Sequence, residues 1–178
     1  MNKLIIWTIL AVWMGISACE EDERGPLTND GVPPSPVTEV GVTNLPGGAK
    51  ITYTVPSDQD ALLVQVTYKL DNGKVVTSKS SIFKNHVVVE GLREIKEQVV
   101  ELVTVDRSNN HSEPVNVTIL PETAPIDKLY SSFELDEDFG GVRLKYNNED
   151  QVSAELLLYA EDDSGNLIYQ QSTFISDD

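Results

Sequence analysis

Cysteine occurs once in these 178 residues, at Cys19, histidine twice, and tryptophan only at Trp7 and Trp13. A single thiol excludes an internal disulfide, and the usual four-ligand zinc sites need more cysteine and histidine than the chain holds. His86 and His111 have no serine or cysteine nucleophile close by in sequence. By strand parity His86 points away from the side carrying Val87 and Val89, and His111 falls in a turn, so both read as surface histidines and no catalytic residue is assigned. Positive charge is scarce: 13 Lys+Arg stand against 29 Asp+Glu, a formal net charge of -16. Such a chain repels phosphate backbones, which argues against nucleic acid as a partner. Carboxylates are so common that clusters mean little. Glu134, Asp136, Glu137 and Asp138 read as an acidic loop before Gly140-Gly141, and Glu161, Asp162 and Asp163 precede Ser164-Gly165. Hard oxygen ligands of this kind suit calcium, but no EF-hand spacing supports it, so no metal and no cofactor is assigned.

Long apolar runs are equally rare. The one clear case, Leu4 to Gly15, follows Lys3 and ends at Ile16-Ser17-Ala18-Cys19, with Glu20 to Glu23 immediately after. About a dozen residues is too short for a spanning helix, which needs roughly twenty. A basic start, an apolar run and small residues at its end describe a cleaved secretory signal, with cleavage between Ala18 and Cys19. Residues 1–18 carry Lys3 and no acid, so the processed chain stands at -17. Both tryptophans leave with the leader, which removes the largest flat surface for stacking a sugar ring. Tyr53, Tyr68, Tyr146 and Tyr159 fall at positions expected in a core or on its flank; Tyr130, Tyr169, Phe83 and Phe139 are expected outside and form no row. No ligand-binding residues are assigned.

Ile16, Ser17, Ala18 and Cys19 resemble, position by position, the lipobox of bacterial lipoproteins. The resemblance implies a thioether-linked diacylglycerol on Cys19, cleavage before it and usually a third acyl chain; two or more chains anchor stably where one is marginal. The acidic run after the cysteine resembles the export signal of surface lipoproteins of Bacteroidota. It implies display on the outer leaflet of the outer membrane, with a periplasm-facing location as the alternative.

Residues 19–36 read as a tether: acidic, then rich in Pro, Gly, Asn and Asp, with no apolar period. Extended, it reaches roughly 50 Å from the lipid. From Val37 the pattern turns to strands. Ala49, Ile51, Tyr53 and Val55 alternate with polar residues, and Leu62, Val64, Val66, Tyr68 and Leu70 share one face of a third strand. Asp71-Asn72-Gly73 predicts a type I′ hairpin turn. Seven short strands without an amphipathic helix predict an all-β, immunoglobulin-like sandwich over 37–120. Val89-Glu90-Gly91-Leu92 and the tail Asp106 to Pro114 resemble fibronectin type III domains, with Asn109 where glycine is usual, Tyr53 in place of the usual tryptophan, and Gln98 in place of the corner tyrosine. The resemblance therefore implies a rebuilt corner.

Pro121 to Pro125 reads as a linker whose prolines prevent helix and blunt edge pairing. A second copy follows over 126–178. Gly48 to Tyr53 is echoed by Gly141 to Tyr146, Leu62 to Tyr68 by Glu155 to Tyr159, and Asp71-Asn72-Gly73 by Asp163-Ser164-Gly165. Only about four strands of this partial second sandwich are present. A truncated reading frame is the expected reason; the alternative is that another chain supplies the missing strands. The whole layout resembles a group of Bacteroidota lipoproteins of poorly defined function, with tandem fibronectin-III-like domains often followed by a discoidin-like domain and encoded near starch-utilisation-like uptake systems. It implies a non-enzymatic spacer or interaction scaffold, anchored through Cys19, whose partners are outer-membrane glycan-uptake proteins or glycans. A direct carbohydrate-binding module is the alternative.

Overall fold

The computed structural model describes residues 31–175. Cys19, Ala18, the leader and most of the acidic tether lie outside the described residues. The tether's last part does not hang free. Pro34 is buried, the Ser35 N–H donates to Asp58 Oδ2 at 2.6 Å, and Val37 is buried in the core. The domain thus begins about three residues earlier than the composition suggested, because proline and serine here pack against the sandwich.

Seven strands form two antiparallel sheets. β1 (Thr38–Leu45), β2 (Gly48–Thr54) and β5 (His86–Val89) make a three-stranded sheet in the order β1-β2-β5. β3 (Ala61–Lys69), β4 (Val75–Ser81), β6 (Gln98–Asp106) and β7 (Val115–Ile119) make the facing sheet in the order β4-β3-β6-β7. This is a fibronectin-III-like β-sandwich, as the alternation predicted. Ile51, Val64, Val66, Val89 and Leu102 are sealed from solvent, and Tyr53 fills the place of a larger ring at 4% exposure; Leu62, read on the same face as Val64, is instead 47% exposed, where the register of β3 against β6 shifts between Ala61 and Leu63. Strands β2 and β5 approach so closely that a Cβ on Gly48 would lie 1.9 Å from the Val89 carbonyl oxygen, so only glycine fits.

The corner is rebuilt with two bonds. Gln98 Nε2 donates to the Lys69 carbonyl at 2.7 Å, and the Tyr68 hydroxyl donates to the Glu90 carbonyl at 3.1 Å. The β3–β4 turn is not type I′, which requires two left-handed central residues. Only Gly73 is left-handed (φ 85°); its N–H bonds the Leu70 carbonyl, and the Leu70 N–H bonds the Lys74 carbonyl, each at 2.8 Å. The same geometry recurs where β6 ends. There Asn109 takes the glycine position at φ 63°, with Asp106 N–H to the Asn110 carbonyl at 3.2 Å.

The linker contradicts its sequence reading. Glu122 pairs with the end of β1, accepting from the Gly47 N–H and donating to the Leu45 carbonyl, each at 3.0 Å. Pro125 opens a short helix, α1 (Pro125–Ser131), rather than preventing one. Proline is tolerated at the first helical position because its missing N–H would have no partner there. Two hairpins follow: β8 (Glu134–Asp138) with β9 (Gly141–Lys145), and β10 (Ala154–Glu161) with β11 (Leu167–Ile175). The acidic stretch read as a loop is thus strand β8. Diagonal ion pairs across the hairpin hold it, Lys145–Asp136 at 2.6 Å and Arg143–Asp138 at 2.7 Å.

Candidate interaction surface

The two later hairpins repeat the chain order of the first two, β1–β2 and β3–β4. The repeat extends to the turns. Asp162 N–H bonds the Asn166 carbonyl and Gly165 N–H bonds the Asp162 carbonyl, each at 3.0 Å, with Gly165 at φ 83°. N–H groups of Asn166 and Ser164 and the Asn166 side chain point at the Asp162 carboxylate and hold its pKa below the ordinary value. What differs is the covering. β5, β6 and β7 close the first sandwich, whereas among the described residues β9 and β10 are each hydrogen-bonded on one edge only.

The consequence is legible residue against residue. Ala49 and Ile51 are fully buried; their counterparts in the echo are Val142, 53% exposed, and Leu144, half-buried. Tyr53 is buried, and its counterpart Tyr146 is 46% exposed. Tyr146 and Tyr159, expected in a core or on its flank, are half open to solvent, since no strand among the described residues covers them. Between the hairpins lies a cleft of about 380 Å³ lined chiefly by Leu135, Val142, Leu144, Leu156, Leu158 and Phe174. Such a contiguous apolar surface marks an interaction site.

A second groove, of about 230 Å³, lies where the hairpins meet the first sandwich. Leu129 of α1 and Ile175 at the end of β11 are both buried and line it with Phe133. Phe133 stacks obliquely with Tyr130 and edge-on with Tyr146, at ring separations of 5.7 and 6.2 Å, so the groove runs into the cleft. The junction is pinned by polar contacts that sequence reasoning missed. Arg93, in the β5–β6 loop, grips the α1 residue Asp127 through two of its guanidinium nitrogens, Nη2 to Oδ1 and Nε to Oδ2, the latter at 3.2 Å. The Arg93 hydrogen bond lowers the Asp127 pKa, and Asp127 raises that of the guanidinium. Lys128 pairs with Asp150 at 3.0 Å, and Ser132 Oγ accepts from the Asn147 N–H at 2.8 Å. Pro125 followed by Asp127 in the first turn was the available signal for α1.

The residues weighed for chemistry stay apart from this surface. His86 is half-buried on β5, its Nδ1 3.4 Å from Asn85 Oδ1, and His111 is exposed and bridged to Val105. Among the described residues no three His, Cys, Asp or Glu side chains converge as metal ligands. Phe83, Phe139 and Tyr130 are well exposed, as expected. Tyr159 and Tyr169 are cross-strand partners with ring centroids 5.8 Å apart, outside the cleft lining.

Residues 34–121 match a domain of unknown function (DUF4959), a span that coincides with the first sandwich between its buried prolines Pro34 and Pro121. Among solved structures, the chain is similar to the FN1–FN3 domains of chicken CNTN1, at 14% identity and a TM-score of 0.45 over 51% of this chain and 33% of that one. It thus spans about a third of that solved chain's length. It is also similar to a myokine, at 20% identity and a TM-score of 0.39 over 50% of this chain and 99% of that one. A two-domain fibronectin type III segment of chicken tenascin is 12% identical, with a TM-score of 0.45 over 80% of this chain and 83% of that one. No curated protein matches.

Proposed function

We propose that this chain is a non-enzymatic lipoprotein, anchored through an acylated Cys19, whose first sandwich is a spacer and whose second unit is an interaction module. The observation that carries the reading is the apolar cleft between β8–β9 and β10–β11, set beyond a sandwich whose own core is sealed. A closed sandwich gives reach and stiffness, and an open one gives a surface to bind. The leader, the Ile16-Ser17-Ala18-Cys19 run and Glu20 to Glu23 support anchoring in the outer membrane with display at the cell surface. The partner class in this reading is a glycan-uptake assembly of that membrane.

Fractionation tests the anchor. Cys19→Ala, or globomycin treatment, should move the protein out of the membrane pellet, and unchanged partitioning would sink the claim. Protease added to intact cells should cleave the wild-type chain if it is displayed; protection until the outer membrane is broken would place it on the periplasmic side. Direct carbohydrate binding is the second reading, favoured by the paired, half-exposed Tyr159 and Tyr169. Retardation in a polysaccharide gel that Tyr159→Ala abolishes would support it, and migration indifferent to every polysaccharide would reject it.

A further inference from the structure

We infer that the end of the first sandwich where the chain enters is a lipid-contacting face, seated on the membrane that holds the anchor, with Phe83 as its wedge. The inference rests on the reading of Cys19 as the anchored residue. Three loops and the entering chain meet at this end. The Ile82 N–H donates to the Leu62 carbonyl at 3.2 Å, the Arg107 N–H to the Asp60 carbonyl at 3.0 Å, and Asn110 Nδ2 to the Val32 carbonyl at 3.4 Å. The β5–β6 loop and the way out of the sandwich lie at the opposite end. There the Leu92 N–H bonds the Gly47 carbonyl at 2.9 Å and Glu122 pairs beside it.

Phe83 is 95% exposed. The Ser81 carbonyl accepts the Lys84 N–H at 2.9 Å, and the turn so closed carries the ring at its tip. Leu62 adjoins this turn and is half open to solvent. Lys84 and Arg107 flank the two apolar residues; both are exposed, and among the described residues neither is in an ion pair. The carboxylates at this end stand aside. Asp58 and Asp60 are half-buried, with Asp58 bound by the Ser35 N–H; Glu39 accepts the Thr54 hydroxyl, and Glu113 lies on the β7 side. Scattered exposed apolar residues are ordinary on any protein surface. An aromatic and an aliphatic residue beside two free cations, all at one strand end, have the composition of a membrane interface. The apolar groups enter the headgroup region, and the cations stay level with the lipid phosphates.

The tether decides the occupant. Residues 19–30 separate this end from the lipid. Even fully extended, such a segment spans only about 40 Å. One exposed phenylalanine would not hold a free protein on a membrane. A short link makes the encounter intramolecular, and the high effective concentration favours the lipid surface over any partner in solution. Charge sets the orientation. Residues 122–178 hold 14 Asp+Glu against 3 Lys+Arg, whereas residues 31–121 hold 10 against 8. An anionic lipid surface therefore repels the second unit and is nearly indifferent to the first. The molecule stands on its Phe83 end with the second unit outward.

The test does not depend on lipidation in the cell. The processed chain, residues 19–178, has one thiol and no tryptophan. Its Cys19 is coupled to a maleimide-headgroup lipid, carried in trace amount by vesicles of phosphatidylcholine and phosphatidylglycerol. Phe83→Trp then reports from the proposed face. Ile95→Trp, at a position 62% exposed in the β5–β6 loop, reports from the opposite end. Both positions are open to solvent, so each variant should melt with the wild type. On coupling, Phe83→Trp emission should move to shorter wavelength. Lipids brominated on their acyl chains should quench it several-fold more than they quench Ile95→Trp. Equal quenching at the two sites, or Phe83→Trp emission that stays where it is in water, would overturn the inference. The two failures are separable. Fractionation of Cys19→Ala reads the anchor, whereas the chemically coupled tryptophan variants read the face whether or not the cell acylates Cys19.

Discussion

Replacing Asp106 with alanine probes the buried polar anchor of the first sandwich. The residue is 1% exposed, at the end of β6. Oδ1 accepts the Asn110 N–H at 2.8 Å, Oδ2 accepts Asn110 Nδ2 at 2.9 Å, and the Ser108 N–H also bonds the carboxylate. These bonds hold Asn109 in its left-handed conformation and set the path to Ser112, whose Oγ accepts the Thr104 N–H at 2.9 Å. Alanine leaves the two backbone donors facing a gap, while the Asn110 amide can turn to water. At about 1–2 kcal/mol for each stranded donor, the loss is about 2–4 kcal/mol. For a domain of this size that lowers Tm by roughly 10–20 °C. Asp106→Asn, which keeps one acceptor and the shape, should fall between.

The pH dependence has a definite sign. Burial disfavours the Asp106 charge, but the donors from Asn110 and Ser108 outweigh it, and its folded pKa lies below the ordinary value. Its stabilisation is then fully present above the ordinary carboxylate range and disappears as pH falls through the lowered folded value. Urea unfolding of wild type and Asp106→Ala from neutral pH downward should show the difference between them shrinking on acidification. A variant within about 0.5 kcal/mol of wild type at neutral pH, below what one stranded donor costs, would refute the reasoning. So would a difference that grows in acid.

Further outcomes are expected at three sites. Leu102→Ala, at a site with no solvent exposure, should cost about 2–5 kcal/mol in urea unfolding. Tyr53→Phe should change stability at neutral pH by less than about 1 kcal/mol, because the buried hydroxyl has only a weak contact with Ser80 in place of a well-formed bond. Burial raises the Tyr53 pKa, so wild-type stability should fall as pH rises past the ordinary phenol value toward the raised one, and Tyr53→Phe should lose less over that span. Arg93→Ala should leave the melting of the first sandwich unchanged but speed proteolysis within 121–133, and an unchanged cleavage rate would show that the Asp127 contact does not pin the junction.

The first sandwich was legible chiefly where a strand buries alternate residues, which writes period two into β2 and β3. The second unit was legible only where the same pattern recurs, at β9 and β10. β8 was hidden because four of its five residues are acidic; its strand character comes from pairing with β9 and from Arg143 and Lys145, which are not local signals. The helix was hidden by reading Pro125 as a breaker instead of a first-turn residue. The exposure of Tyr146 could not be read from its own neighbourhood, which matches that of Tyr53, since burial depends on strands elsewhere. The hairpin turn was misassigned for a similar reason: Asn-Gly suits two turn types, and the extra residue before β4 selects the one with a single left-handed position.

The docking of Pro34 and the pairing of Glu122 determine how the first sandwich carries tension. The chain enters at the Thr38 end of β1, beside the Ser35–Asp58 bond. It leaves from β7 beside the opposite end of β1, where Leu120 N–H bonds Asn44 Oδ1 at 3.1 Å and Glu122 bonds Leu45. A pull between a fixed N-terminus and a load on the second unit therefore runs along the strands from end to end. It slides β1 and β7 in opposite directions and strains the bonds of the β1–β2 and β6–β7 ladders together rather than one after another. A sandwich wired this way resists a pull between its two ends in shear, which peeling from one end would not allow.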